Sequence, residues 1–235
     1  MHEAPHAPWS LRGEVVVAWA RRAAGAPALP DGLHLLPGPA LVFGVRYTDS
    51  PVGPFCELAV GLPARLGLRP GFCLVEHVVS EPAAKVGLRC NWGFPADVGR
   101  LTWVADAEQR VLRYEDRGLV LRMAAIGPRL PVLVGMRSVQ RRGDGPVLVP
   151  RRLTASARFA RGVVDVPADD SLAWLGGSHG GLVLSAARLV VRPARHPLGL
   201  LSSFRAPLRA AEPGLSYRGS TRTAARSSAT AEALQ

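Results

Sequence analysis

Two short stretches of this 235-residue chain carry the side chains best suited to chemistry. Residues 47–57 contain a turn rich in proline and glycine and end on Glu57, and residues 90–98 are predicted to form a loop after a helix. A glutamate whose pKa is raised by apolar neighbours can act as an acid or a base, so Glu57 is the first catalytic candidate. The opposite possibility, that Glu57 faces solvent or pairs structurally with an arginine, stays open. The candidates for lining a pocket are Tyr47, Asn91, Trp92, Phe94, Pro95, Ala96, Asp97 and Arg100.

Lys85 is the only lysine in the sequence and therefore the only side-chain amine that could attack a carbonyl group. Such an attack needs a desolvated amine within about 3–3.5 Å of the carbonyl carbon. Lys85 falls on the predicted helix, where a solvated surface lysine is the commoner case. Lys85 is therefore a second catalytic candidate, on the condition that its amine is desolvated beside the substrate.

Other motifs are weaker. The run 176–180 matches Gly-x-Ser-x-Gly, but it follows a predicted helix and precedes a strand, which is the reverse of a nucleophile elbow, so a glycine-rich turn is the preferred interpretation. Cys73 and His77 lie four residues apart without any metal-ligand spacing around them. The three cysteines predict no disulfide framework. We therefore expect no metal and no cofactor.

Composition narrows the function classes. The formal charge of +11 rests on arginines scattered among apolar residues, and aromatic residues make up only 6%, so nucleic-acid binding is not expected, although a basic tail leaves it as an alternative. The start of the chain lacks the pattern of a secretory signal, and no apolar run approaches the roughly 18 residues that span a bilayer. The sequence predicts a cytoplasmic protein without membrane contact.

The elements that must position these side chains are mainly strands. With 25 glycines and 21 prolines the chain needs many turns, which favours short strands over long helices. Ser80, Glu81 and Pro82 have the pattern of a helix start, and a second short helix is predicted over 169–177. A change of phase at Gly162 predicts a bulge. Strands are predicted over 14–20, 40–47, 55–61, 71–79, 101–105, 110–114, 119–123, 132–139, 147–149, 153–160, 163–166 and 181–191.

These elements predict a mainly β (α+β) fold: a closed or nearly closed antiparallel β-barrel with a few short helices and an interior that can hold a small ligand. The expected organisation is a loose N-terminal segment over 1–11, a single domain over 12–211 and a disordered basic tail over 212–235.

The chain resembles the acetoacetate decarboxylase family. The resemblance spans roughly residues 9–211 and rests on the order of four pieces: residues 47–57, residues 80–86, Asn91 to Pro95, and the late strand after Gly181. It implies the conical β-barrel of that family, assembly from identical subunits, and a role for Glu57 in or beside the active site. Members of the family use a lysine amine to form a Schiff base with a β-keto acid, which then loses carbon dioxide.

The resemblance places Ala96 at the position of the nucleophilic lysine and Asp97 at that of a second lysine. Alanine has no nitrogen, and a carboxylate at Asp97 would raise the pKa of a nearby amine instead of lowering it. We therefore expect a pocket for a small oxo acid or carbonyl compound without Schiff-base decarboxylase chemistry. The alternative is a lyase, a decarboxylase or a hydratase, that acts on a β-keto or oxo acid with Glu57 as its acid or base.

Overall fold

The computed structural model describes residues 5–21, 25–143 and 145–196. The predicted tail over 212–235 and the end of the predicted domain lie outside these residues. The helix is α1 (Pro82–Trp92), and two 3-10 helices cover Glu115–Arg117 and Ala173–Leu175. The strands are β1 (Trp9–Ala20), β2 (His34–Leu35), β3 (Ala40–Asp49), β4 (Phe55–Leu66), β5 (Arg69–Val79), β6 (Ala96–Val98), β7 (Leu101–Ala105), β8 (Gln109–Tyr114), β9 (Leu119–Arg142), β10 (Gly145–Asp165) and β11 (Gly177–Val191).

All eleven strands of the described part belong to one sheet, in the order β6-β5-β4-β3-β1-β11-β10-β9-β8-β7, with β2 paired to β4. Neighbours are antiparallel except for β5 with β6 and a single bridge between Phe72 of β5 and Ser138 of β9. That bridge joins two strands that are far apart in the order of the sheet. The predicted mainly β class is confirmed, and the closed barrel stays a prediction.

Alternate residues of a strand point to opposite faces of the sheet. Along β1, β3, β4 and β5, residues on both faces are buried. On one face Val16, Val42, Leu58 and Val60 pack against residues from β7 to β9, such as Leu121. The other face packs on α1. Its buried members include Val45, Tyr47, Phe55, Ala59, Val79, Ala84, Leu88, Trp92, Phe94 and Ala96.

Helix α1 begins where the sequence indicates. Glu81 is the N-cap residue, its side chain accepts a hydrogen bond from the backbone N–H of Ala83 at 3.2 Å, and Pro82 occupies the first helical position, where no N–H is needed. The helix ends at Gly93, whose φ of 69° lies in the left-handed region. Residues 90–98 are therefore not one loop as predicted, because the helix includes Cys90 to Trp92.

Three other sequence predictions differ from the structure. Gly162 is not a bulge: β9 and β10 stay in register there, and a Cβ at this position would lie 1.9 Å from the carbonyl oxygen of Arg122, so glycine permits close strand approach. The helix predicted over 169–177 is reduced to the 3-10 turn Ala173–Leu175. The separate strands predicted between 119 and 166 merge into the long β9 and β10.

None of the helices in the described residues is long and apolar enough to cross a membrane.

Candidate functional site

Strand register brings polar residues from three strands to the face that α1 covers. Glu57 lies opposite Val45 on β3 and Val79 on β5, and His77 lies opposite Ala59 on β4. Because opposite residues of paired strands share a face, Glu57 and His77 point to the same side. Tyr47 joins them there from β3, opposite Phe55.

Glu57 and His77 form the centre of this group. Nε2 of His77 lies 3.3 Å from Oε1 of Glu57, and the two side chains are only 1% and 10% exposed. Nε2 thus faces the carboxylate at ion-pair distance, whereas Nδ1, the other ring nitrogen of His77, has no hydrogen-bond partner among the described residues. A buried polar atom without a partner costs about 1–3 kcal/mol. His77 therefore offers unused hydrogen-bonding capacity to a small molecule.

Glu57 is held in its charged form. Burial by itself raises the pKa of this carboxyl group, but His77, Arg151 and Tyr47 together outweigh burial and lower the pKa below its ordinary value of 4.5. The expectation that apolar neighbours raise the pKa of Glu57 is therefore wrong. At neutral pH the carboxylate can accept a proton but has none to give, which favours a base over an acid.

Arg151 of β10 supplies the positive charge. Its guanidinium carbon lies 4.6 Å above the centre of the Phe94 ring, and its buried Nε has no hydrogen-bond partner among the described residues. Desolvation lowers the pKa of Arg151, while the charge of Glu57 opposes that shift. Burial, and then the charge of Glu57, raise the pKa of Tyr47 well above 10, so its hydroxyl keeps its proton.

Ala96 stands beside this group. It pairs with His77 across β5 and β6 and is fully buried. Phe94 lies nearby, with its ring centre 5.7 Å from that of His77. Tyr47, Glu57, His77 and Arg151 form a buried polar cluster, which we call the Glu57 cluster. The position where the resemblance places a lysine is thus occupied by a methyl group next to its member His77.

Asp97 and Lys85 lie at the surface instead. Nζ of Lys85 donates to Oδ1 of Asp97 at 2.6 Å, and the two side chains are 32% and 65% exposed. The hydrogen bond from Lys85 lowers the pKa of Asp97. Ala96 is buried and Asp97 is exposed because successive residues of the strand β6 point to opposite sides.

The other predicted pocket residues have partners elsewhere. The Asn91 side-chain oxygen accepts a hydrogen bond from the Ala7 N–H at 3.1 Å, and its NH₂ group donates to the Pro5 carbonyl at 2.9 Å, so Asn91 binds the backbone of residues 5–7. Nε1 of Trp92 donates to the Arg192 carbonyl at 2.8 Å. Arg100 is exposed and pairs with Asp116, and Pro95 is exposed. Among the described residues no group of three metal-ligating side chains gathers.

His77 and Arg151 are the cluster members that sequence reasoning did not place in the site. The available signal was the alternation of strand residues: Arg151 is two residues after Val149 and four after Val147, both buried, so alternation places it on the same face as these valines. His77 interrupts an apolar strand in the same way. A charged or polar residue at an inward position of a strand is the pattern that would have indicated them.

The structure can be compared with known proteins. It is similar to the crystal structure of acetoacetate decarboxylase from Legionella pneumophila subsp. pneumophila str. Philadelphia 1, with a TM-score of 0.64 and 16% sequence identity over 83% of this chain and 89% of that chain. The chain has the acetoacetate decarboxylase fold. The resemblance inferred from the sequence is thereby confirmed at the level of the fold.

Two further structures share this acetoacetate decarboxylase fold. The enduracididine biosynthesis enzyme MppR in complex with pyruvate gives a TM-score of 0.55 at 18% identity, covering 83% of this chain and 91% of that chain. An acetoacetate decarboxylase-like enzyme from Sphingomonas wittichii RW1 gives 0.52 at 13% identity, covering 80% and 90%. No family model and no curated protein sequence matches the chain.

Proposed function

We propose that this chain binds a small oxo acid or carbonyl compound at the Glu57 cluster and does not form a Schiff base with it. The observation that carries the proposal is the fully buried Ala96, paired with His77 beside the Glu57 cluster, at the position where the resemblance places the nucleophilic lysine. Within the described residues, the cluster has polar groups but no amine beside them. The sole lysine, Lys85, is paired with Asp97 at the surface.

The hydrogen-bonding groups of the cluster that lack partners suggest the ligand. Nε of Arg151 is a charged donor that suits a carboxylate, and a ring nitrogen of His77 suits a carbonyl or hydroxyl oxygen next to it. Pyruvate has both groups. The structure of MppR with bound pyruvate supports this choice, since that protein shares the fold.

Calorimetric titration with pyruvate tests the proposal. We expect saturable binding by the wild type and binding at least about tenfold weaker after Arg151→Met, because a hydrogen bond to a charged group contributes about 1.5–3 kcal/mol. Arg113→Gln, an exposed arginine on β8, serves as the control and should bind like the wild type. Circular dichroism confirms that each variant is folded. No saturable binding, or unchanged affinity in Arg151→Met, would refute the proposal.

A second candidate is a lyase or enolising enzyme in which Glu57 is the base. The observation in its favour is the lowered pKa of Glu57, which keeps the carboxylate charged and ready to accept a proton. A positioned base contributes about 10²–10⁴-fold to a rate. Incubation with pyruvate in deuterium oxide should then exchange the methyl protons, and Glu57→Gln should reduce the exchange at least about 100-fold. Exchange no faster than in buffer would rule out this candidate.

A further inference from the structure

A second concave region lies apart from the Glu57 cluster. A cleft of about 740 Å³ opens at the surface where β1, β3, β10 and β11 run side by side, and arginines from three of these strands line it: Arg12, Arg46 and Arg188. No member of the Glu57 cluster lines this cleft. Arg46 and Arg188 are exposed. We call it the three-arginine cleft.

The positive charges in the three-arginine cleft oppose one another. Arg12 lies directly opposite Arg188 across the β1–β11 pair, and like charges in that relation destabilise a sheet. On its other side Arg12 meets Asp49, but Nε and Oδ2 are 3.8 Å apart and both side chains are more than 60% exposed. Such an exposed pair offsets little of the repulsion.

Arg46 also lacks the partner that register provides. It lies opposite Glu14 across β1 and β3, yet Oε1 of Glu14 accepts hydrogen bonds from Arg110, at 3.1 Å from Nη2 and 3.3 Å from Nε. Within the part of the chain that the structure describes, neither Arg46 nor Arg188 forms an ion pair. The cleft therefore presents two guanidinium groups that form no ion pair, and the carboxylate of Glu14, which also lines the cleft, is already bound by Arg110.

A bulge in β11 holds this arrangement. The register of β11 shifts against both of its neighbours around Ala186, whose φ of 49° is a left-handed conformation that costs free energy in a residue other than glycine. Beyond the bulge Arg188 lies opposite both Arg12 and Thr154. A slip of one residue would turn Arg188 to the other face of the sheet. The strained bulge thus keeps like charges together.

We propose that the three-arginine cleft binds a dianionic oxyanion, such as the phosphate group of a small molecule, between Arg46 and Arg188. The planar guanidinium group matches a phosphate with two parallel hydrogen bonds. A dianion placed there neutralises the charges that face one another. The hydroxyl group of Thr154, which forms no hydrogen bond in the described residues, supplies a further donor at the rim. This site is independent of the function proposed for the Glu57 cluster.

Titration with inorganic phosphate tests the cleft, with ionic strength held constant by sodium chloride. Saturable binding is expected for the wild type, and the double substitution Arg46→Gln and Arg188→Gln should weaken it at least tenfold. Arg113→Gln removes one positive charge from an exposed strand position outside the cleft and should leave the affinity unchanged, whereas Arg188→Gln alone, with the same change of charge, should weaken it. Phosphate that binds no better than chloride, or an equal loss in Arg113→Gln, overturns the proposal.

Thermal unfolding supplies a second readout that does not depend on affinity. Arg188→Gln relieves the repulsion with Arg12, so without phosphate its Tm should equal or exceed that of the wild type, while the rise in Tm caused by phosphate should shrink. A lower Tm without phosphate would overturn the proposal.

A phosphorylated sugar that outcompetes phosphate would identify an organic phosphate as the ligand. Tight binding of an oligonucleotide that survives the double substitution would instead assign the basic surface to a polyanion.

Discussion

Glu57 stays charged inside the protein because three neighbours compensate for the loss of water. Oε1 of Glu57 lies 3.3 Å from Nε2 of His77, and the positive charge of Arg151 also stabilises the carboxylate. The guanidinium group of Arg151 lies over the ring of Phe94. Removal of one partner from a buried pair of charges leaves the other without compensation. The free energy of unfolding should therefore depend strongly on the charge of Glu57.

Glu57→Gln should lower the free energy of unfolding by about 3–5 kcal/mol at pH 7. Because the pKa of Glu57 is lowered in the folded state, its contribution is fully present above the pKa of the unfolded chain and is lost as the pH falls through the lower folded value. The difference between wild type and variant should thus shrink below about pH 4.5. Urea unfolding at a series of pH values measures it, and a difference that grows on acidification would contradict this account.

The sequence indicates some of these residues and not others. Glu57 was a candidate because it follows a distinctive turn, and Ala96 because it follows Gly93, Phe94 and Pro95. Strand alternation could place Arg151 on a buried face, but not beside Glu57 and Tyr47, because these residues lie on β4 and β3, with which β10 does not pair. The direction of the pKa shift of Glu57 depends on the same distant contacts, so local apolar composition predicted it wrongly.

At the scale of elements, the end of α1 fixes where β6 starts. Gly93 has a φ of 69°, and a Cβ there would lie 2.6 Å from the backbone carbonyl oxygen of Arg141. Its N–H also bonds the Arg89 carbonyl at 2.9 Å and closes the helix. This turn leads directly to Phe94 and Ala96 beside the Glu57 cluster.

Gly93→Ala should destabilise the protein more than Gly67→Ala does. Gly67 has a similar φ of 57° but open space around it, so an alanine there carries only the backbone cost of about 1–2 kcal/mol. At Gly93 the contact with Arg141 adds to that cost, and a total of about 3 kcal/mol or more is expected. Chemical denaturation compares the two, and equal losses would show that the close approach is relaxed.

The start of α1 can be predicted from neighbouring residues, whereas the length of β9 and β10 cannot. Glu81 and Pro82 indicate its start because capping depends on neighbouring residues, and the structure agrees. The long strands β9 and β10 were divided in the sequence interpretation at polar and glycine-containing breaks. They are continuous because each pairs with the other over most of its length, which no local pattern reveals.

At the scale of the whole molecule, β9 and β10 expose an unusual number of apolar side chains. Ile126, Leu130 and Val134 on β9, with Phe159 on β10, are each at least 36% exposed, and the β9 residues lie opposite Phe159, Ala157 and Leu153, which share one face of β10. Grouped apolar residues at a surface mark interaction sites. We propose that this surface joins identical subunits, as the resemblance implies.

Leu130→Glu, at the most exposed of these β9 positions, should shift the protein toward the monomer, because a carboxylate in a subunit contact would lose its water. Light scattering after size-exclusion chromatography measures the mass. The matched control is Leu68→Glu, at an exposed leucine in the turn between β4 and β5, which should leave the assembly unchanged. A wild type that is already monomeric would contradict the proposal.

The chain has the acetoacetate decarboxylase fold, and we propose that it binds its ligand at the Glu57 cluster without a Schiff base. Intact-mass spectrometry after incubation with pyruvate and borohydride tests it most directly. We predict an unchanged mass for the wild type and a reduced adduct on residue 96 of the Ala96→Lys variant. A trapped adduct on the wild type, or none on a folded Ala96→Lys variant, would contradict the account.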